Sequence, residues 1–594
     1  MKRNFLPIFL FLSLLLFAHQ VVAKENWNRI QTKNFTIVGN ASQGDMKKIA
    51  LKLEDFRETL AQMFPRAQIN TPVPTTVVLF KSDDAFHRFK PRYQGKIRDN
   101  VAGYFMPGRM MNYIVLTSDK TVVNPYEVIF HEYGHFILNN NMNNAPAWLS
   151  EGLAEFYSTF DTNGELEVRI GTPIPEHVYY LRNEVPLPLK TLLEVDHKSP
   201  HYNESRKAGA FYAGSWALFH YLTIGNGEKR RPQLVRFMSL VDGGASVEES
   251  FQKAFQVTPK LMEEELTSYI RKFTFPVLVV KFRSPLVIDK EVQSSALSEA
   301  ESHYYQGALL AGLGQFDEAK ASFDKSLALD PAYSPTHVEL GRLAAKDLKF
   351  DEAEKYFTAA VSADAKNFLG HYYRGEMLSF RGNTLEAIEA YKQAIALKPD
   401  LALMYSDLGY AYDRAGNLAE AVKSFEKGLA ANPREANFYR SLGYGYLNQG
   451  NYEFAAGSFY NYLQRKGWRD TSSQYMLLAW YFSLRMLKNH SFAAEKLQNS
   501  ISKVDATEWP YPVLQHLNKA LSLEELLAQA KDDNDKLTEA HAYAGLELSL
   551  NGKRDAALEH LRWVEQNGNK RFVEYEMALN ELGRLNRRDA EKQK

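Results

Sequence analysis

The sequence predicts an α+β domain followed by an all-α solenoid, and three observations carry that reading. Short β-branched runs alternate with helix-period segments through the first 273 residues, the pattern of a mixed domain. Two segments in that half, His131-Glu132-Tyr133-Gly134-His135 and Trp148-Leu-Ser-Glu151-Gly-Leu-Ala-Glu155, concentrate side chains able to hold a metal. From Glu299 onward glycine, alanine and aromatic residues recur every 34 positions, which is the signature of stacked helical hairpins. The expected divisions are a leader at 1–23, the α+β domain at 24–273 and a linker with short strands at 274–298. Five repeats follow at 299–466, then less regular helices at 467–594 with a further repeat near 538–570.

Met1-Lys2-Arg3-Asn4 is followed by an apolar run over 5–18 and by Val21-Val22-Ala23. That is the layout of a secretory leader, too short to be read first as a membrane span. No later stretch reaches about eighteen uninterrupted apolar residues, so the expectation is an exported protein of a Gram-negative periplasm with no transmembrane anchor in the mature chain. There is no cysteine. Disulfides and thiolate metal ligands are therefore excluded, leaving histidine and carboxylate. The 71 basic residues balance 71 acidic ones, and without Lys2 and Arg3 the net charge is −2. Nothing there points to nucleic acid or to an anionic membrane.

Residues 27–38 form the first strand region, with its core at 35–38. Residues 46–64 carry Ile49, Leu53, Phe56, Leu60 and Met63 at helical spacing,. Residues 72–80 and 111–117 supply a second and a third strand. The helix that follows has Asn124 as N-cap, Pro125 at its first position and Glu127 to complete a capping box. On it His131 and His135 stand one turn apart and point the same way, so both imidazoles can hold one ion. Glu132 lies between them, placed to take a proton from water at the metal. The bland alternative is two histidines on a solvated face. The second segment weighs against it, because a catalytic zinc takes three protein ligands and one open position. Glu151 follows His135 after fifteen intervening residues. The loop at 140–146 can turn a second helix back and bring Glu151 over the histidines. Glu155, one turn further, is placed to accept a hydrogen bond from a ligand histidine.

Residues 176–205, rich in proline and histidine, read as an irregular cleft wall, and 211–222 as an apolar helix in which Trp216, His220 and Tyr221 pack. Residues 232–273 continue helical, and 275–282 and 285–288 read as short strands. In the repeats Gly307, Gly341, Gly375, Gly409 and Gly443 share the 34-residue spacing with Phe323, Phe357, Tyr391, Phe425 and Phe459. Gly545, Ala557 and Leu561 fit a sixth copy. This is the period of the tetratricopeptide repeat (TPR). It serves as scaffold, as a groove for a partner protein, or as both.

His-Glu-x-x-His followed by Trp-Leu-x-Glu-Gly-Leu-Ala-Glu resembles the gluzincins, metallopeptidases that include thermolysin and many zinc aminopeptidases. The more specific likeness is to bacterial proteins in which a peptidase MA-like domain precedes TPR repeats. The resemblance implies a zincin-like metallopeptidase fold, one Zn²⁺, and Glu151 as third ligand, across a connection shorter than in those enzymes. Residues 108–113 resemble the aminopeptidase Gly-x-Met-Glu-Asn segment on the substrate edge strand, which assigns Met111 and Asn112 to that strand. Met111 stands where the family's amine-gripping glutamate would be, which argues against an aminopeptidase. The helix with Gly214 resembles the segment whose tyrosine donates to the oxyanion. Phe211 falls on that position and Tyr212 is one place on, so Tyr212 is the candidate donor. The combined expectation is a zinc peptidase acting on protein or peptide. Two alternatives remain: a non-catalytic TPR assembly protein with a relic zinc domain, and a zinc hydrolase of cell-wall peptides.

Overall fold

The computed structural model describes residues 26–69, 73–99, 101–121, 124–162, 166–283, 285–286, 291–469 and 472–592. The expected leader lies outside them. In chain order the first half contains β1 (Asn28–Gln31), β2 (Thr36–Gly39), α1 (Gln43–Met63), β3 (Thr75–Phe80), α2 (Asp83–His87), β4 (Arg92–Tyr93), β5 (Lys96–Ile97), β6 (Gly103–Met106) and β7 (Asn112–Thr117). It continues with α3 (Pro125–Asn141), α4 (Ala147–Ser158), β8 (Asp161–Thr162), β9 (Glu167–Ile170), α5 (Pro175–Asn183), α6 (Leu189–Glu194), α7 (Pro200–Asn203), α8 (Ser205–Ile224), α9 (Arg231–Asp242), α10 (Val247–Phe255) and α11 (Pro259–Ile270). Two strands, β10 (Leu278–Lys281) and β11 (Gln293–Ala296), lead to the repeats.

The main sheet has the order β11-β1-β2-β3-β7-β6. Strands β2, β3 and β7 run parallel, while β11, β1 and β6 are antiparallel to their neighbours. The central strands are buried on both faces, which is why they read as continuous apolar runs instead of alternating ones. Val77, Leu79, Ile114 and Leu116 pack with α1 and α3 on one side. Val78, Phe80, Tyr113 and Val115 pack on the other with Trp27, Leu309 and Phe323.

Several expectations need correction here. The first strand region is two antiparallel strands joined by a turn. Met111 precedes β7 instead of lying in it, and β7 is interior, so Met111 and Asn112 are not on an edge strand. Asn112 is buried, accepting from Gly108 N at 3.0 Å and donating to Thr75 Oγ1 at 3.4 Å. The edge is β6. Residues 176–205 are not irregular but carry three short helices, α5 to α7. The strand at 275–282 is β10, paired with β9. Of the strand expected at 285–288, residues 287–288 lie outside the described residues. The strand that closes the sheet is instead β11, paired with β1.

The repeats are the helix pairs α12 (Glu299–Gly312) with α13 (Phe316–Leu329), α14 (Ser334–Lys346) with α15 (Phe350–Ala363), α16 (Phe368–Arg381) with α17 (Thr384–Leu397), α18 (Ala402–Arg414) with α19 (Leu418–Ala431), and α20 (Ala436–Asn448) with α21 (Tyr452–Lys466). The recurring glycine and aromatic ring touch within each pair. A Cβ on Gly307, Gly341, Gly375, Gly409 or Gly443 would fall 2.4–2.9 Å from the ring of Phe323, Phe357, Tyr391, Phe425 or Phe459, so only glycine lets the helices close. The remainder is α22 (Ser473–Met486), α23 (His490–Ser500), α24 (Tyr511–Leu517), α25 (Leu523–Ala530), α26 (Asn534–Leu550), α27 (Arg554–Asn567) and α28 (Val573–Lys592). Leu561 meets Gly545 in the pair α26–α27.

The solenoid does not hang from a linker. Its first helix lies on the back of the sheet, with Tyr304, Ala308 and Leu309 in one apolar cluster with Val78, Phe80 and Val115. Arg29 pairs with Glu301 at 2.9 Å, Arg434 donates to the Asn141 carbonyl, and the backbones of Gly244 and Gly467 are in close contact. Among the described residues no helix is long and apolar enough to cross a membrane.

Candidate metal centre

Helix α3 starts where Asn124 Oδ1 accepts from Tyr126 N at 3.1 Å, with Pro125 at the first helical turn. Glu127 takes its hydrogen bond from the Asn124 side chain at 2.9 Å, so the cap is a side-chain pair and not the expected reciprocal box. Ile129, Phe130, Tyr133 and Phe136 bury one face of the helix, with Phe130 and Tyr133 against Phe56 of α1. The other face carries His131, Glu132 and His135. After the turn, α4 runs back beside α3 and beneath α8. A Cβ on Gly152 would sit 2.4 Å from Ser215 O, so the glycine after Glu151 is what lets α4 seat against α8.

The seating brings three candidate ligand atoms together. His131 Nε2 and His135 Nε2 stand 3.0 Å apart, and Glu151 Oε2 lies 3.4 Å from the first and 3.3 Å from the second. Ligands at about 2.0–2.1 Å from a tetrahedral zinc stand roughly 3.3 Å from one another, so the triangle has the size that ion requires. Glu151 is 1 % exposed and its Oε2 is a buried oxygen without a hydrogen-bond donor. Such an atom is costly unless a cation meets it. The residues fit a zinc ion.

Partners behind the ligands fix their orientation. His135 Nδ1 is 2.9 Å from Ser150 Oγ, and Tyr202 of α7 donates to Glu151 Oε1 at 2.8 Å. Glu155 is 3.7 Å from His131 Nδ1 and 3.3 Å from His177 Nε2. It thus makes an ion pair with His131 in place of the expected hydrogen bond. Burial pulls the His131 pKa down, but Glu155, Glu151 and Glu132 outweigh it and raise the imidazole to about 10. Burial raises Glu151, yet His135 and His131 hold it far below the carboxylate range. The centre is thus built to hold positive charge.

A cleft of about 700 Å³ opens over the three ligand atoms, lined also by Glu132, Arg98, His197, Tyr202 and Tyr212. Burial raises the Glu132 pKa, the two histidines lower it, and the Phe105 backbone N–H of β6 donates to its carboxylate. Tyr212 faces this cleft, while Phe211 is fully buried behind it. His220 is bound to Tyr269 Oη at 2.8 Å and Gly171 O at 2.9 Å, away from the cleft. Ser150, His177 and Tyr202 were not singled out from sequence. Ser150 directly precedes Glu151, but His177 and Tyr202 lie on short helices with no motif around them.

Residues 127–242 match the family described as a protein of unknown function (DUF1570). The match runs from within α3 to the end of α9 and takes in His131, His135, Glu151 and Tyr212, though not Arg98 or Phe105. Residues 300–333 and 406–471 match tetratricopeptide repeats, and 381–416 a TPR repeat. The repeats are tetratricopeptide repeats. Comparison with curated proteins gives no match. Among solved structures, the crystal structure of MamA is 27 % identical, covering 27 % of this chain and 94 % of its own, with a TM-score of 0.25. Pseudomonas aeruginosa PilF is 19 % identical over 39 % of this chain and 97 % of its own, with a TM-score of 0.31. A tetratricopeptide repeat protein from Parabacteroides merdae is 15 % identical over 47 % and 97 %, also at 0.31.

Proposed function

We propose that this chain is an exported, periplasmic zinc peptidase with a zincin-like domain of gluzincin type, whose TPR repeats bring protein to it. The observation that carries the reading is the buried Glu151 Oε2, which accepts no hydrogen bond and faces two histidine Nε2 atoms, with Glu132 in the same cleft. His131, His135 and Glu151 would hold the ion, and zinc when bound supplies Lewis acidity and a water of lowered pKa. Glu132, anchored by Phe105 N–H, accepts the water's proton and passes it to the leaving amine. Tyr212 offers a hydroxyl to the carbonyl oxygen as its charge grows, while Tyr202 keeps Glu151 in place. The free edge of β6 beside Glu132 offers backbone groups along which an extended peptide can pair.

The test is incubation of the protein with a mixed peptide library, half of it N-acetylated. Cleavage is expected in both halves, since among the described residues the only carboxylates lining the cleft are Glu132 and Glu151, which leaves none to hold an ammonium group. Glu132→Gln should abolish it and chelation should suppress it. Strong preference for free N-termini restores the aminopeptidase reading. Zinc binding with no cut in any peptide, while the repeats still capture protein, gives the assembly reading. Cleavage of cell-wall peptides alone gives the other alternative.

A further inference from the structure

Strand β6 and the turn after it connect two places that lie far apart in the sequence. Successive side chains of a strand point to opposite faces. Phe105 packs on Phe136 of α3, with ring centroids 5.6 Å apart, and its N–H reaches Glu132. The next residue, Met106, lies against Gly312 of the first repeat, where a Cβ would fall 2.1 Å from Met106 Sδ. The turn itself is tight, with Gly108 N bound to Asn112 Oδ1 at 3.0 Å. Met110, 1 % exposed, is buried with Ala344, Phe357, Tyr372 and Met377 of the second and third repeats. Arg109 pairs with Glu376 of the third repeat at 2.5 Å and with Asp407 of the fourth at 3.5 Å. Tyr372 Oη holds Asp407 in place at 2.6 Å. Each of the first four repeats therefore touches the end of β6 or the turn after it, Phe357 from the second helix of its pair and the others from the first.

We propose that the touched side of the first four repeats is a receptor for the chain's own β6–β7 turn, with Arg109 and Met110 as positioning residues for the strand that borders the metal cleft. The inference rests on the reading of β6 as the strand along which substrate lies. On this account the turn occupies part of the groove over repeats one to four in cis, beside a cavity of about 560 Å³ that it shares with them and that stays open to a partner. The repeats act on the cleft by fixing the strand beside Glu132.

Hydrogen–deuterium exchange of residues 103–106 in the full-length protein tests the grip without any need for turnover. Arg109→Ala should speed exchange there about fivefold, the loss expected of a half-exposed ion pair. Met110→Ala, which empties a buried apolar site, should speed it by about tenfold or more. Zinc content and exchange in α3 should stay unchanged. Arg109→Lys should restore part of the protection, and the exchanged pair Arg109→Glu with Glu376→Arg most of it. Unaltered exchange in both Arg109→Ala and Met110→Ala overturns the proposal, as does loosening spread evenly over the domain. With β-casein as probe, KM should rise several-fold in Arg109→Ala, and an unchanged KM beside a loosened strand overturns the role in positioning. If the wild type leaves β-casein and every other peptide intact, the peptidase reading fails while the exchange result still decides whether the repeats hold the turn.

Discussion

Tyr202 and Tyr212 share the cleft but are expected to do different work, and two single substitutions separate them. The Tyr202 hydroxyl is committed to Glu151 Oε1. Tyr202→Phe should therefore weaken zinc binding by about 10–100-fold, the usual effect of removing a group that orients a metal ligand. Tyr212→Phe should leave zinc affinity alone and lower kcat by about 10²–10³-fold, as loss of one oxyanion donor does. Zinc titration of both variants beside their kinetics checks the assignment. The reverse pattern would exchange the two roles. That His131, His135 and Glu151 come together was legible because helical spacing alone places the two histidines on one face and the second segment supplies Glu151. Tyr202 was not, because it reaches Glu151 from 51 positions away on a four-residue helix with no periodicity.

At the scale of elements, close helix contacts and buried charges set stability. Gly152→Ala would put a methyl 2.4 Å from Ser215 O and 2.8 Å from Phe219 Cβ. It should cost about 1–3 kcal/mol through overpacking, seen as a lower Tm, and should weaken zinc binding by tilting α4. In the last repeats Glu539 is pushed up from 4.5 to about 7, by burial first and by Glu574 next, against hydrogen bonds from Trp509 and Tyr475. The folded state therefore binds this proton more tightly than the unfolded chain. The stability it contributes is full below pH 4.5 and lost as pH rises through 7, roughly 2–3 kcal/mol in all. Glu539→Gln should flatten that part of the fall in Tm between pH 5 and 8, and an identical slope in both proteins would contradict the shift. The repeats were legible from their period because the same glycine-to-ring contact recurs in each pair. Strand β11 was not, because Gln293–Ala296 is exposed throughout and carries no apolar pattern.

Across the whole molecule, the sheet has two covers, one from α1 and α3 and the other from the solenoid. The sequence showed two halves but not that one completes the core of the other, since Val78 and Phe80 read the same whatever covers them. A chain ending at residue 298 would strip Tyr304, Ala308, Leu309 and Phe323 from the cluster that holds Val78, Tyr113 and Val115. It should aggregate or bind a hydrophobic dye strongly, as a large exposed apolar patch does, and a soluble, dye-silent fragment with native exchange would refute the shared core. The account as a whole depends on the centre where α3 meets α4. Its most direct test is metal analysis of the purified protein, of Glu132→Gln, and of the His131→Ala/His135→Ala double variant. The account predicts one zinc per chain in the first two and none in the third. Equal zinc in all three would contradict it.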